Sequence, residues 1–173
     1  METVLDILKY ILPSAITFAA VYFVLQKFLD NEHRKQLLLL KKEAQSETIH
    51  LRLQAFERLV LFLERSSLDK LVLRLHKPGM SAKLMQAEIT RTINEEFNHN
   101  LTQQVYISAT TWDIIKKAKD ETIRVVTLAG TQMNDTSTAA DLGQKVFEIM
   151  GRLEATPTQI AINQIKKEIR QLF

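Results

Sequence analysis

The hydrophobic pattern changes character along the chain. YILPSAITFAAVYFVLQ, Tyr10 to Gln26, carries no charge and no polar face, with Lys9 before it and Lys27 after it. Lysines at both ends can snorkel, which extends the apolar stretch from about Val4 to Leu29. This predicts a transmembrane helix, because ~20 residues at about 1.5 Å each cover a ~30 Å hydrocarbon layer. Ile16, Phe18, Val21, Phe23 and Leu25 favour insertion, and Tyr10 and Tyr22 stand towards the two ends as interfacial anchors. Ser14 and Thr17 are expected to return their hydroxyls to the helix backbone. Glu2 and Asp6 stand where a signal peptide would be basic, and no small-residue cleavage pattern follows Leu25.

A basic stretch, DNEHRKQLLLLKKEAQSE, comes next. Leu37, Leu38, Leu39 and Leu40 cover too much of a helix circumference for a surface, which predicts burial against a partner or a later helix. No glycine or proline occurs between Pro13 and Pro78, so the chain can leave the membrane as helix. In TIHLRLQAFERLVLFLER, the residues Ile49, Leu53, Phe56, Val60 and Leu63 alternate at spacings of four and three and form one stripe. That stripe is out of register with Leu37, Leu40 and Ala44, which favours a core-facing bundle helix over a long coiled coil.

Helix start signals then recur. Ser66 with Asp69 predicts a capping box opening a short helix through His76, stopped at Pro78–Gly79. A helix over about Ser81 to Asn98 carries Met85, Ile89, Ile93 and Phe97 on one face. LTQQVYIS fits a helical turn or an extended link. Thr110 with Asp113, Thr138 with Asp141, and Thr156-Pro157 with Gln159 predict three further helix starts. The fold class is all-α: an N-terminal transmembrane helix continuing into a cytoplasmic bundle of about five to six helices. Residues 1–29 form the anchor, 30–48 a basic helical linker and 49–173 the helical domain.

Composition agrees with this. The chain has 173 residues with only four glycines and three prolines, as a helical protein would. Cysteine is absent, which removes disulfides, thiolate nucleophiles and cysteine metal sites. The net charge of +3 is too mild to imply nucleic acid, and the placement of the charges matters more. Lys27, Arg34, Lys35, Lys41 and Lys42 follow the apolar run, whereas Lys9 alone precedes it. The positive-inside rule puts the N-terminus outside and the C-terminal domain in the cytoplasm, and the same residues could attract anionic lipid.

Candidate chemistry is sparse. Glu47-x-x-His50 and Glu96-x-x-His99 repeat the spacing of half a di-iron carboxylate site, with Glu121 and Glu148 available as further ligands. Against metal, His50 and His99 lie among polar neighbours, and Asp30-x-x-His33 repeats the spacing where no second ligand set exists. Lys116, Lys117 and Lys119 alternate with Asp113, Asp120 and Glu121, as on a solvated face laced with ion pairs. Lys166, Lys167 and Arg170 favour the dipole end of the last helix. Trp112 reads as a core anchor. Nucleophile elbows, phosphate loops and dinucleotide fingerprints are missing, and no cofactor or small-molecule substrate is indicated.

At LRLQAFERLVLFLERSSLDKLVLRLHKPGMS, then HNLTQQVYIS and the terminal IRQLF, the chain resembles a family of uncharacterised bacterial proteins over nearly its whole length. The resemblance implies a short N-terminal membrane anchor, a helical domain and a bacterial inner-membrane location, and it assigns no activity. The expected role is a non-catalytic interaction, scaffold or accessory module whose partners are the bilayer and another protein or a second copy. A metal-dependent helical-bundle enzyme and an anionic-lipid sensor are the alternatives.

Overall fold

A computed structural model of the chain describes residues 2–171, and describes side chains outside 2–10, 12 and 43–46. Every regular element among the described residues is helical, with no strand beyond one isolated bridge. The order is α1 (Glu2–Arg65), α2 (Leu68–Leu75), α3 (Ala82–His99), a 3-10 helix (Leu101–Tyr106), α4 (Ala109–Gly130), α5 (Ala139–Met150) and α6 (Pro157–Arg170). The chain divides into two compact units, Met1–Thr48 and Ile49–Phe173.

The first unit is helical from Glu2 onward. Pro13 is accommodated within it. Around it the Ser14 hydroxyl donates to the Ile11 carbonyl at 2.8 Å and the Thr17 hydroxyl to the Pro13 carbonyl at 2.9 Å, as expected. Among the described residues, no helix is long and apolar enough to cross a membrane. The described apolar stretch is diluted by Pro13, Ser14 and Thr17 at its start and interrupted by Gln26 and Lys27 before Phe28 and Leu29. The side chains of Tyr10 and Leu12 lie outside the described set. Leu37, Leu38, Leu39 and Leu40, expected to be buried against a partner or a later helix, are 59%, 67%, 60% and 62% exposed in the single chain.

The second unit is built on two apolar clusters. One joins α2 (Leu68, Leu71, Val72), α3 (Met85, Ile89, Ile93), α5 (Leu142, Val146) and the C-terminal half of α4 (Val126, Ala129). The other joins α1 (Phe56, Leu59, Phe62, Leu63), Phe97 of α3, the N-terminal half of α4 (Trp112, Ile115, Ala118) and α6 (Ala161, Ile162, Ile165). Each large side chain so buried is worth about 1.5–3 kcal/mol of transfer free energy. Trp112 anchors the second cluster as its sequence position suggested, stacked on Phe97 with centroids 5.3 Å apart. Phe97 also meets Phe62 at 5.8 Å, and the Lys119 ammonium lies 5.0 Å from the Phe97 ring centre.

The buried face of α1 is rotated from the expected stripe. Phe56 and Leu63 are buried, but Ile49, Leu53 and Val60 are only half-buried, while Ala55, Leu59 and Phe62 are fully enclosed. Packing against α4, α6 and Phe97 of α3 covers a broader arc of α1 than one narrow seam.

Helix starts divide into those kept and those moved. Thr138 and Asp141 form the reciprocal capping box of α5. Thr156 caps α6 by accepting from the Gln159 N–H at 3.2 Å, but the Gln159 side chain reaches forward to Asn163 instead of back. For α2 the N-cap is Ser67, not Ser66, and its hydroxyl contacts Asp69 without capping the backbone. For α4 the cap is Ser108, not Thr110, because Asp113 is held by Lys116 at 2.7 Å. LTQQVYIS resolves into the 3-10 helix, closed by Ile107 in extended conformation.

Short backbone ties align these pieces. Ala82 N–H donates to the Ser137 carbonyl at 2.9 Å and Ala139 N–H to the Met80 carbonyl at 2.8 Å, so α3 and α5 start side by side. Gly143 permits the close approach of α5 to α2, since a Cβ there would lie 2.9 Å from Val72 Cγ1. Gly79 turns the chain between α2 and α3 with φ +78°, a conformation that favours glycine.

Candidate functional site

Two surfaces, one in each unit, stand out. In the first unit the apolar side chains point outward on all sides of α1. Phe18 is 75% exposed, Val24 69%, Phe23 64% and Phe28 64%, with Ile16, Val21, Tyr22 and Leu25 also exposed. Together these described side chains form a contiguous apolar surface on the first unit. Lys27, Arg34, Lys35, Lys41 and Lys42 follow it, all exposed.

In the second unit a polar cleft of about 510 Å³ opens where α1, α4 and α6 meet, lined by Arg52, Ser108, Thr110, Gln164, Lys167 and Gln171 around Glu168. Glu168 stands on the buried face of α6 with Ala161 and Ile165, and its side chain is only 9% exposed. Its carboxylate accepts from the Ser108 N–H at 2.9 Å, the Ser108 hydroxyl at 2.6 Å and Arg52 Nη2 at 3.1 Å. Arg52 Nε donates to the Tyr106 carbonyl at 2.9 Å, and the Ser108 oxygen caps α4 by accepting from the Thr111 N–H at 3.2 Å. Burial pushes the Glu168 carboxyl upward. The Ser108 hydroxyl, Thr111, the Ser108 N–H and the Arg52 guanidinium together outweigh it and hold the group below its ordinary value.

That arrangement decides its chemistry. The Ser108 proton is committed to a carboxylate that is a weak base, so Ser108 has no partner that would activate it as a nucleophile. The cluster ties α1 and the entry of α4 to α6. Periodicity alone did not single it out, although Arg52 and Glu168 are each a charged residue set within an apolar stripe, Ala55–Phe56–Leu59 and Ala161–Ile162–Ile165 respectively. A charge in such a position signals a buried polar tie.

The residues weighed for metal binding lie apart in chemistry. Glu47, His50 and His99 are exposed, and His50 Nε2 contacts the Gln54 amide at 3.2 Å. Glu96 is half-buried and paired with Arg65 at 2.6 Å. Glu121 pairs with Arg124 at 3.4 Å, and Glu148 with Lys145 at 2.8 Å and Arg152 at 2.5 Å. Among the described residues no group of three or more His, Cys, Asp or Glu side chains could hold a metal ion. The face of α4 carries the expected ion pairs, Lys116 with Asp113 and Lys119 with Asp120 at 2.9 Å.

A match to the Family of unknown function (DUF7935) runs over residues 2–172 of the chain. No curated protein and no solved structure matches it.

Proposed function

We propose, for a chain that belongs to this family of unknown function, a membrane-anchored and non-catalytic role: the N-terminal helix seats the protein in a bacterial inner membrane and the domain of residues 49–173 engages another protein or a second copy. The exposure of the described apolar side chains of α1 between Ile11 and Leu29 carries this reading. Water is a poor neighbour for so much hydrocarbon, and only lipid or a partner chain relieves it. Ile11 to Leu29 rises about 28 Å at 1.5 Å per residue, close to the ~30 Å of a bilayer core. Val4, Leu5, Ile7 and Leu8 add apolar residues before it in the sequence.

The excess of basic residues after the stretch supports a cytoplasmic C-terminal domain. The committed hydrogen bonds of Ser108 and Glu168 support a binding module in preference to an enzyme. Leu37 to Leu40, all exposed, are the first choice of protein contact. Alkaline carbonate extraction of membranes containing the full chain should leave it in the pellet, and release into the supernatant would refute anchoring. Crosslinking in those membranes should yield a dimer or one stoichiometric partner, whereas a monomer alone would refute the interaction role. Protease added to intact spheroplasts should spare the C-terminal domain, and its digestion would reverse the orientation.

A further inference from the structure

This inference rests on the membrane-seated reading of the N-terminal helix and names what its basic face meets. Lys27, Arg34, Lys35, Lys41 and Lys42 are exposed, and none has an ion pair among the described residues. At about 100° per residue they fall within one arc of about 120° on α1, with Asp30 and Glu32 outside that arc. The arc begins at Lys27, in the last turn of the apolar surface formed by Val24, Leu25 and Phe28. Cations thus gather on one side of the helix where it leaves its apolar part, with Asp30 about 20° beyond the edge set by Lys41 and Glu32 farther round.

We propose that this face binds anionic phospholipid headgroups through Lys27, Arg34 and Lys35, and that Lys41 and Lys42 stand beyond reach. Side chains on a helix lean toward its N-terminus, which here is toward the bilayer. Arg34 and Lys35 lie about 10–12 Å of helix rise beyond Lys27, whereas Lys41 and Lys42 lie about 21–22 Å beyond it. Leaning back by several ångströms brings the nearer pair within about one Debye length, ~8 Å at physiological ionic strength, and leaves the farther pair outside. Spanning helices tilt by about 20° on average. The cationic arc sets the side that leans down, since the opposite tilt would bring Glu32 to an anionic surface.

Competition between two vesicle populations tests this with the full chain. Neutral phosphatidylcholine vesicles and vesicles containing phosphatidylglycerol are offered together and separated by flotation. At physiological ionic strength the chain should favour the anionic population by about ten-fold, Lys27 contributing most, and the preference should fade as salt rises further. Lys27→Gln with Arg34→Gln and Lys35→Gln should distribute evenly between the two. Lys41→Gln with Lys42→Gln should keep the preference. Even distribution of the unaltered chain would overturn the proposal. So would a loss on neutralising Lys41 and Lys42 as large as that of the triple variant, because it would require an acidic partner lying along the whole stripe. Recovery with neither population would overturn the membrane reading itself, and the lipid proposal with it.

Discussion

Removing the Glu168 carboxylate should weaken the second unit by an amount that the geometry bounds. The side chain accepts three hydrogen bonds, two from Ser108 and one from Arg52. Bonds to a charged group are worth about 1.5–3 kcal/mol each before neighbours adjust. Two terms reduce the sum. Glu168 regains hydration on unfolding, and the Arg52 side chain, 28% exposed, can turn to water once its partner is gone. Glu168→Ala should therefore cost about 2 kcal/mol and Glu168→Gln about 1 kcal/mol, since the amide keeps one acceptor. Urea unfolding of the full chain, followed by the fluorescence of Trp112, the single tryptophan, reports on this unit. With a slope of about 2 kcal/mol per molar, the alanine midpoint should fall by about 1 M. The dependence on pH supplies a second check. The folded carboxyl lies below its ordinary 4.5, so its stabilisation is complete above the unfolded value and is lost as pH falls through the folded one. The difference between wild type and Glu168→Ala should shrink accordingly as pH falls below the unfolded value and through the folded one. A midpoint unchanged by Glu168→Ala near neutrality, or a difference that persists undiminished into acid, would refute this account of the tie.

Leu59→Ala should cost about 3 kcal/mol by opening a cavity at a fully buried position, whereas Val60→Ala should cost about 1 kcal/mol or less; equal losses in the same urea titration would contradict the rotated face of α1. Gly143→Ala should destabilise by about 1 kcal/mol despite the better helix propensity of alanine, because the new methyl meets Val72, and a rise in thermal midpoint would show that α2 and α5 have room to separate. Thr138→Ala should cost about 1 kcal/mol by removing the reciprocal cap of α5, with Thr138→Ser close to wild type. Elemental analysis of the purified full chain should find less than one equivalent of any transition metal, and a stoichiometric content would revive the Glu-x-x-His pairs.

Local chemistry was the most legible part of the chain. Thr138-x-x-Asp141 and Thr156-Pro157 carry their helix starts in contiguous residues, so no distant contact is needed to recognise them. Trp112 and the face of Met85, Ile89, Ile93 and Phe97 were equally plain from size and spacing. Ser66 and Thr110 mislead because several small polar residues stand together, and side chains outside the capping pattern, near and far, decide among them. Lys116 draws Asp113 away, and Glu168 engages Ser108 from 60 residues further on. The same distance hid the Arg52–Glu168 tie, since nothing in a helical period says which two stripes will meet. A spacing of four and three marks a single seam and so passes over Leu59 and Phe62, which α4 and α6 together enclose in a broader arc.

Two helices, α3 and α4, contribute to both apolar clusters, whereas α2 and α5 belong to one and α6 to the other. Cooperativity follows from that sharing. Neither cluster can be dismantled without disturbing helices on which the other depends, so the domain has no clean plane along which to come apart. Amide protons at the centres of α3 and α4 should be the last to exchange with solvent, and those of the short α2 among the first. Phe56 to Leu63 of α1 and Val126 and Ala129 of α4 belong to different clusters, and α4, a member of both, is the element through which loss of one would be expected to loosen the other.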